Sequence, residues 1–140
     1  MLKMKRVLGS AMMIMTLAVP MAISNMPVSA DISIQNLYTY SCTSKLSISG
    51  STASCVSEVN GYSGKTTKIV ITQILQKKNS SGSWSNAKSS NKTVNSSSGS
   101  LSSTYSGLAK GTYRLVTSAT VYAGNNREVV TSYSSTKTVK

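Results

Sequence analysis

Residues 66–85 read TTKIVITQILQKKNSSGSWS, and the fold turns on whether this run is a helix or a strand. Ile69, Ile71 and Leu75 share one parity, as on one face of a strand, whereas Val70, Ile71, Ile74 and Leu75 would fit one stripe of a helix. β-Branched residues at 66, 67, 69, 70, 71, 72 and 74 decide for the strand, because branching at Cβ restricts χ1 in a helix. Val70 and Ile74 on the second face then predict a central strand covered on both sides. The strand is expected to run to Lys78, turn over Asn79–Gly82 and return through Trp84, the single tryptophan. That ring is expected to cover the edge of the core rather than face a ligand.

Turn signals recur outward from this hairpin at Gly50, Asn60-Gly61 with Gly64, Ser80–Gly82, Ser98-Gly99, Gly107 to Gly111, and Gly124–Asn126. The segments between them are short and rich in Thr, Val, Ile and Tyr. In TYRLVTSATVY (112–122), Tyr113, Leu115, Ala119 and Val121 share one parity and Arg114, Ser118 and Thr120 the other. In LAKGTYRL (108–115), a Leu, a Gly and a strand-opening Tyr113 resemble the tyrosine corner of immunoglobulin-like domains, whose hydroxyl bonds back to upstream backbone. The expectation is all-β: an immunoglobulin-like (fibronectin type III-like) antiparallel β-sandwich of about seven to eight strands. NAKSSNKTVNSSSGS (86–100) is expected to be its most mobile stretch.

The first thirty residues have another character. Lys3, Lys5 and Arg6 precede an uncharged apolar block that Pro20 stops, and Val28-Ser29-Ala30 supplies a cleavage site. Those are the parts of a secretory signal peptide, with cleavage expected after Ala30. All seven methionines lie before residue 27, so the composition changes at the same boundary. Residues 1–30 are thus a signal peptide and 31–140 one secreted, extracellular domain that meets a membrane only before cleavage.

The domain has no His, Phe or Met, but 26 Ser and 14 Thr among its 110 residues. Missing histidine removes the commonest general base and metal ligand. Its acids are Asp31, Glu58 and Glu128, and lone strand glutamates are mostly solvated. No catalytic residue, metal site or cofactor is expected. A small glycan hydrolase using Glu58 is the least favoured reading. Cys42 and Cys55 suit a disulfide in an exported chain. Register opposes it: a turn at Gly50-Ser51 sets Cys55 opposite Leu46, with Cys42 four residues further along. That is roughly 13 Å at strand rise, beyond the ~7 Å limit for a bridge. Both alternatives stand at this level.

LSISG (46–50), ASC (53–55), NGYSGKTTKI (60–69), LQKK (75–78), GSW (82–84), GTYR (111–114), VYAG (121–124) and YSSTKTV (133–139) together carry a family resemblance. The chain is similar to small secreted proteins of Gram-positive gut bacteria classed as a domain of unknown function. The resemblance implies an extracellular β-sandwich over nearly all of 31–140 and brings no catalytic or binding residues with it.

Charge remains as the functional signal. Twelve basic residues against three acidic ones leave the domain at +9. Such a field favours polyanions. Export and the lack of a recognised motif argue against nucleic acid, leaving an anionic cell-wall polymer or host glycan as partner. In a fibronectin-like order, Lys77, Lys78, Lys110, Lys137 and Lys140 gather at one end of the sandwich, with Glu58 and Glu128 towards the other. The reading is a secreted, non-enzymatic binding protein, associated with the cell wall. The alternative is a structural protein that self-associates through exposed strands.

Overall fold

The computed structural model describes residues 36–140, so the signal peptide, its cleavage after Ala30 and Asp31 lie outside the described residues. Eight strands follow: β1 Thr39–Ser49, β2 Thr52–Gly61, β3 Lys68–Lys78, β4 Trp84–Val94, β5 Ser98–Tyr105, β6 Gly111–Ala123, β7 Asn126–Tyr133 and β8 Lys137–Val139. No helix occurs among the described residues. One antiparallel sheet has the order β1-β2-β5, and the other β4-β3-β6-β7, with β8 also pairing β6. Their inner faces meet over a shared core.

The stretch 68–78 is a strand at the centre of the larger sheet, paired with β4 on one side and β6 on the other. Ile69, Ile71, Gln73 and Leu75 point inward and are buried, while Val70, Thr72 and Ile74 on the outer face are half-buried. The expected cover on both faces is therefore only partial on the outer one. Tyr113, Leu115, Ala119 and Val121 are buried on β6, as their shared parity predicts.

NAKSSNKTVNSSSGS corrects the expectation. Residues 86–94 are part of β4 and 98–100 open β5, with a turn between. Residues of β4 need no apolar face because the strand lies at the sheet's edge, with a backbone ladder to β3 holding it. The chain leaves the sheet between β7 and β8, at residues 134–136. At the break, Ser134 Oγ accepts the Leu115 amide at 2.8 Å and the Ser134 amide donates to the Leu115 carbonyl at 2.9 Å, keeping β6 satisfied.

The core is divided. Leu46, Ala53, Cys55, Leu75, Leu108, Tyr113, Leu115 and Val139 form one apolar cluster, and Val59, Ile69, Ile71, Ala119, Val121 and Val130 another. Between them, at inward positions of β1, β2, β3 and β6, lie Ser44, Ser57, Gln73 and Thr117. Ser44 Oγ stands 2.6 Å from Thr117 Oγ1 and 3.0 Å from the Ser132 carbonyl oxygen. Thr117 Oγ1 is also 2.6 Å from Ser57 Oγ, which accepts from Gln73 Nε2 at 2.8 Å. Gln73 Nε2 donates again to the Leu101 carbonyl at 3.0 Å.

Proton counting orders this chain. Each hydroxyl has one proton to give, and Ser44 points its own at both Thr117 Oγ1 and the Ser132 carbonyl. Thr117 accepts from Ser44, so its own proton is free for Ser57. The four side chains thus form one connected polar seam across an otherwise apolar interior, in which Gln73 Oε1 is left unpaired.

Tyr113 closes one end. Its hydroxyl donates to the Ala109 carbonyl at 2.7 Å, four residues upstream, and burial pushes its pKa up. Tyr113→Phe is expected to cost about 1–3 kcal/mol, the loss from leaving a backbone acceptor without its donor. Denaturant midpoints measure it; coincident midpoints would mean the bond adds nothing to stability.

Candidate functional site

Register shows where the lysines fall. Lys77, Tyr113 and Lys137 are aligned across β3, β6 and β8. The Lys77 side chain lies over Gly111, where a Cβ would stand 2.6 Å from its Cε. Lys110 and Lys140 each lie one residue from the paired Gly111 and Val139. Lys78 ends β3 on the outer face, opposite Trp84. These five lysines thus share one end of the larger sheet.

The carboxylates lie elsewhere. Glu128 accepts the amides of Leu37 at 2.8 Å and Tyr38 at 3.0 Å, tying the chain before β1 to the start of β7. Glu58 alternates with the buried Ser57 and Val59 and so faces outward from the smaller sheet. There it lines an open hollow with Asn60, Ser98, Gly99 and Ser100. Glu58 sits on an outer face and Glu128 at an inner edge, so the two are not presented to one substrate. No cluster of three His, Cys, Asp or Glu occurs among the described residues.

Cys42 and Cys55 are free thiols. Cys55 pairs with Leu46 and Cys42 with Val59, and the ladder runs without a kink from Ser41 to Ser49. The bridge is therefore absent, for the reason the register argument gives: both thiols face the core, four residues apart along the strands. Burial pushes each from the usual 9.0 up to about 11, which keeps both neutral at physiological pH. Any stability this lends is complete below pH 9 and falls away as the pH rises towards 11.

Trp84 needs a second correction. Its register with Lys78 puts it on the outer face of the larger sheet, half-exposed, and not at the core edge. The Arg114 guanidinium lies between two rings there, 4.3 Å from the Trp84 centroid and 4.7 Å from that of Tyr133. Lys78 Nζ approaches Trp84 at 5.9 Å. Arg114 Nε donates to Gln76 Oε1 at 2.8 Å, and Gln76 Nε2 to Asn86 Oδ1 at 3.0 Å. Sequence placed Arg114 on the outer parity of its strand, but the partners come from β3, β4 and β7, and only the register unites them.

The far end of the same face repeats the theme. Lys68 Nζ lies 4.3 Å from the Tyr122 ring, and Arg127 pairs with Tyr122 in the β6–β7 ladder. Between the two ends, Thr72, Ser118 and Thr131 align across β3, β6 and β7. Among the described residues the face carries no carboxylate side chain.

The β4 edge of this sheet is poorly suited to pairing with another copy. β4 has a register irregularity opposite Leu75–Gln76, and carries Lys88 and Lys92. Bulges and edge lysines discourage strand addition. Lys92 Nζ also donates to the Ser100 carbonyl at 3.1 Å, covering part of the neighbouring β5 edge. A scan against protein-family models, a search of curated proteins and a search of solved structures each return no match.

Proposed function

We propose that the protein is an exported, non-enzymatic module of the immunoglobulin-like, fibronectin type III kind that holds an anionic extracellular or cell-wall polymer. The features of residues 1–30 support export. The sandwich type is supported by the β1-β2-β5 and β4-β3-β6-β7 strand orders together with the Tyr113 to Ala109 hydrogen bond. The observation that carries the binding reading is the gathering of Lys77, Lys78, Lys110, Lys137 and Lys140 at one end, away from both described glutamates. At physiological salt the screening length is about 8 Å, so such a group acts on a polymer lying against it.

The test is salt elution from isolated bacterial cell walls. Replacing Lys77, Lys78 and Lys110 by Gln should release the protein at clearly lower salt than wild type. Replacing the exposed Lys45, Lys65 and Lys88 by Gln removes the same charge from other places and should have less effect. Equal effects would make net charge, not the lysine end, responsible. A wild-type protein that washes off without salt would remove the reading.

A further inference from the structure

We infer that the outer face of the larger sheet seats a carboxylated sugar unit of an acidic polysaccharide, with Arg114 as the group that takes the carboxylate. The inference rests on the reading above, that the protein holds a polyanion, and names the ligand chemistry and a separate place for it.

The geometry restricts how Arg114 can be approached. The Trp84 and Tyr133 rings crowd its guanidinium, with centroids at 4.3 and 4.7 Å, and Gln76 occupies its Nε. Among the described residues this bond to Gln76 is the only hydrogen bond the guanidinium makes. The edge of the two terminal nitrogens is left without a partner among the described residues. A planar oxyanion meeting that edge makes two parallel hydrogen bonds, which is how guanidinium and carboxylate pair best. An ammonium at the same place would offer charge without the fork.

The neighbours fix the polarity of the site. Arg114 can only donate, so Gln76 must turn its oxygen to it and its amide nitrogen to Asn86. Asn86 in turn gives its oxygen to Gln76, which leaves its NH2 group free. Lys78 adds a further donor beside Trp84. Around Arg114 the site thus offers donors from Asn86 and Lys78, the Trp84 and Tyr133 rings, and the aliphatic Ile74 and Val116 in the next row of the face. That set matches a ligand with a carboxylate and adjacent ring or hydroxyl oxygens, displayed on a carbon skeleton that can lie against Tyr133, which is 58% exposed.

The rest of the face suits a chain and not a single small anion. Thr72, Ser118 and Thr131 offer one row of hydroxyls across it, and among the described residues no carboxylate side chain interrupts it. Lys68, Tyr122 and Arg127 supply a second cationic and aromatic group at its other end. From Arg114 to Tyr122 is eight residues of β6, roughly 26 Å at strand rise, the span of several sugar units. A flat face with charge at both ends selects an extended acidic polymer.

The experiment compares binding to polygalacturonate, to its carboxyl-reduced neutral form and to a phosphate polymer, wall teichoic acid, at one ionic strength. Wild type should bind polygalacturonate and not the reduced form. Arg114→Lys keeps the charge and loses the fork, and should weaken polygalacturonate binding roughly tenfold or more, the worth of a charge-assisted pair. The same variant should stay within about twofold of wild type on teichoic acid, where summed charge decides. Tyr133→Ala, at an exposed position, should also weaken polygalacturonate binding with the thermal midpoint little changed. Arg114→Lys binding polygalacturonate like wild type overturns the inference, as does equal binding of the reduced polymer. Wild-type retention on cell walls or teichoic acid with none on polygalacturonate overturns it too, and leaves the reading of the lysine end standing. Binding to no anionic polymer removes both.

Discussion

Thr117→Val is expected to lower the unfolding free energy by about 2–4 kcal/mol, although it keeps the volume and the β-branched shape of the side chain. Thr117 is fully buried, and its hydroxyl is the middle link of the chain from Gln73 through Ser57 to Ser44. Valine at this position takes from Ser44 its closer acceptor and from the buried Ser57 its hydroxyl partner, each at 2.6 Å. Each buried orphan costs about 1–3 kcal/mol, with Ser44 at the lower end because it is only half-buried.

The same logic predicts a partial reversal. Removing the hydroxyls of Ser44, Ser57 and Thr117 together, as Ala, Ala and Val, leaves fewer orphans than removing the middle one. Gln73 Nε2 still has the Leu101 carbonyl. The triple variant should therefore be destabilised by clearly less than the sum of the three single variants, because contacting members of one network do not add. Urea unfolding with an unchanged m-value measures both quantities. A Thr117→Val protein within about 0.5 kcal/mol of wild type would mean that the seam is not a source of stability.

What could be read from the chain beforehand divides along physical lines. The parity of Tyr113, Leu115, Ala119 and Val121 is a local property, since side chains on a strand alternate whatever lies beside them. The Leu46–Cys55 register was legible because a two-residue turn at Gly50-Ser51 determines the pairing on both sides of it. The seam was not legible. Ser57, Gln73 and Thr117 look like polar interruptions of an inward face, and their partners are 16 and 60 residues apart in sequence. Nothing local says that three such interruptions fall at one height.

Composition also misled. Residues 86–94 are Ser- and Asn-rich, yet they form most of an eleven-residue strand. An edge strand gains its order from backbone bonds to one neighbour, and those carry no compositional mark. Residue type alone places Trp84 at the core edge. Its parity relative to Lys78 across the hairpin contained the answer, because an exposed lysine directly opposite places the ring outside. The Arg114 site required knowing in addition which strands flank β6, and that is a matter of topology.

Gly61→Ala should destabilise the protein by about 2–4 kcal/mol, and the reason is space. Gly61 ends β2, and its backbone conformation is one that alanine adopts. A Cβ there, however, would land on the side chain of Thr66, which is buried against it. Thr66 cannot simply swing away, since Thr66 Oγ1 donates to the Tyr38 carbonyl and its amide donates to the Tyr62 carbonyl at 2.9 Å. The Gly61 amide donates to the Ser97 carbonyl at 2.6 Å and the Tyr62 amide to Tyr38 at 3.1 Å. Displacing Thr66 thus disturbs the strand entering β1, the turn leaving β2 and the turn before β5 together. Gly64 provides the contrast within the same loop. Its φ of +81° is a left-handed conformation, but a Cβ there meets nothing within 4 Å. Gly64→Ala should therefore cost only the backbone strain, about 1–2 kcal/mol. Thermal or denaturant midpoints of the two variants, measured side by side, should place Gly61→Ala below Gly64→Ala. The reverse order would show that Thr66 and its loop yield freely, so that close packing at the β2–β3 connection does not hold this end of the sandwich shut.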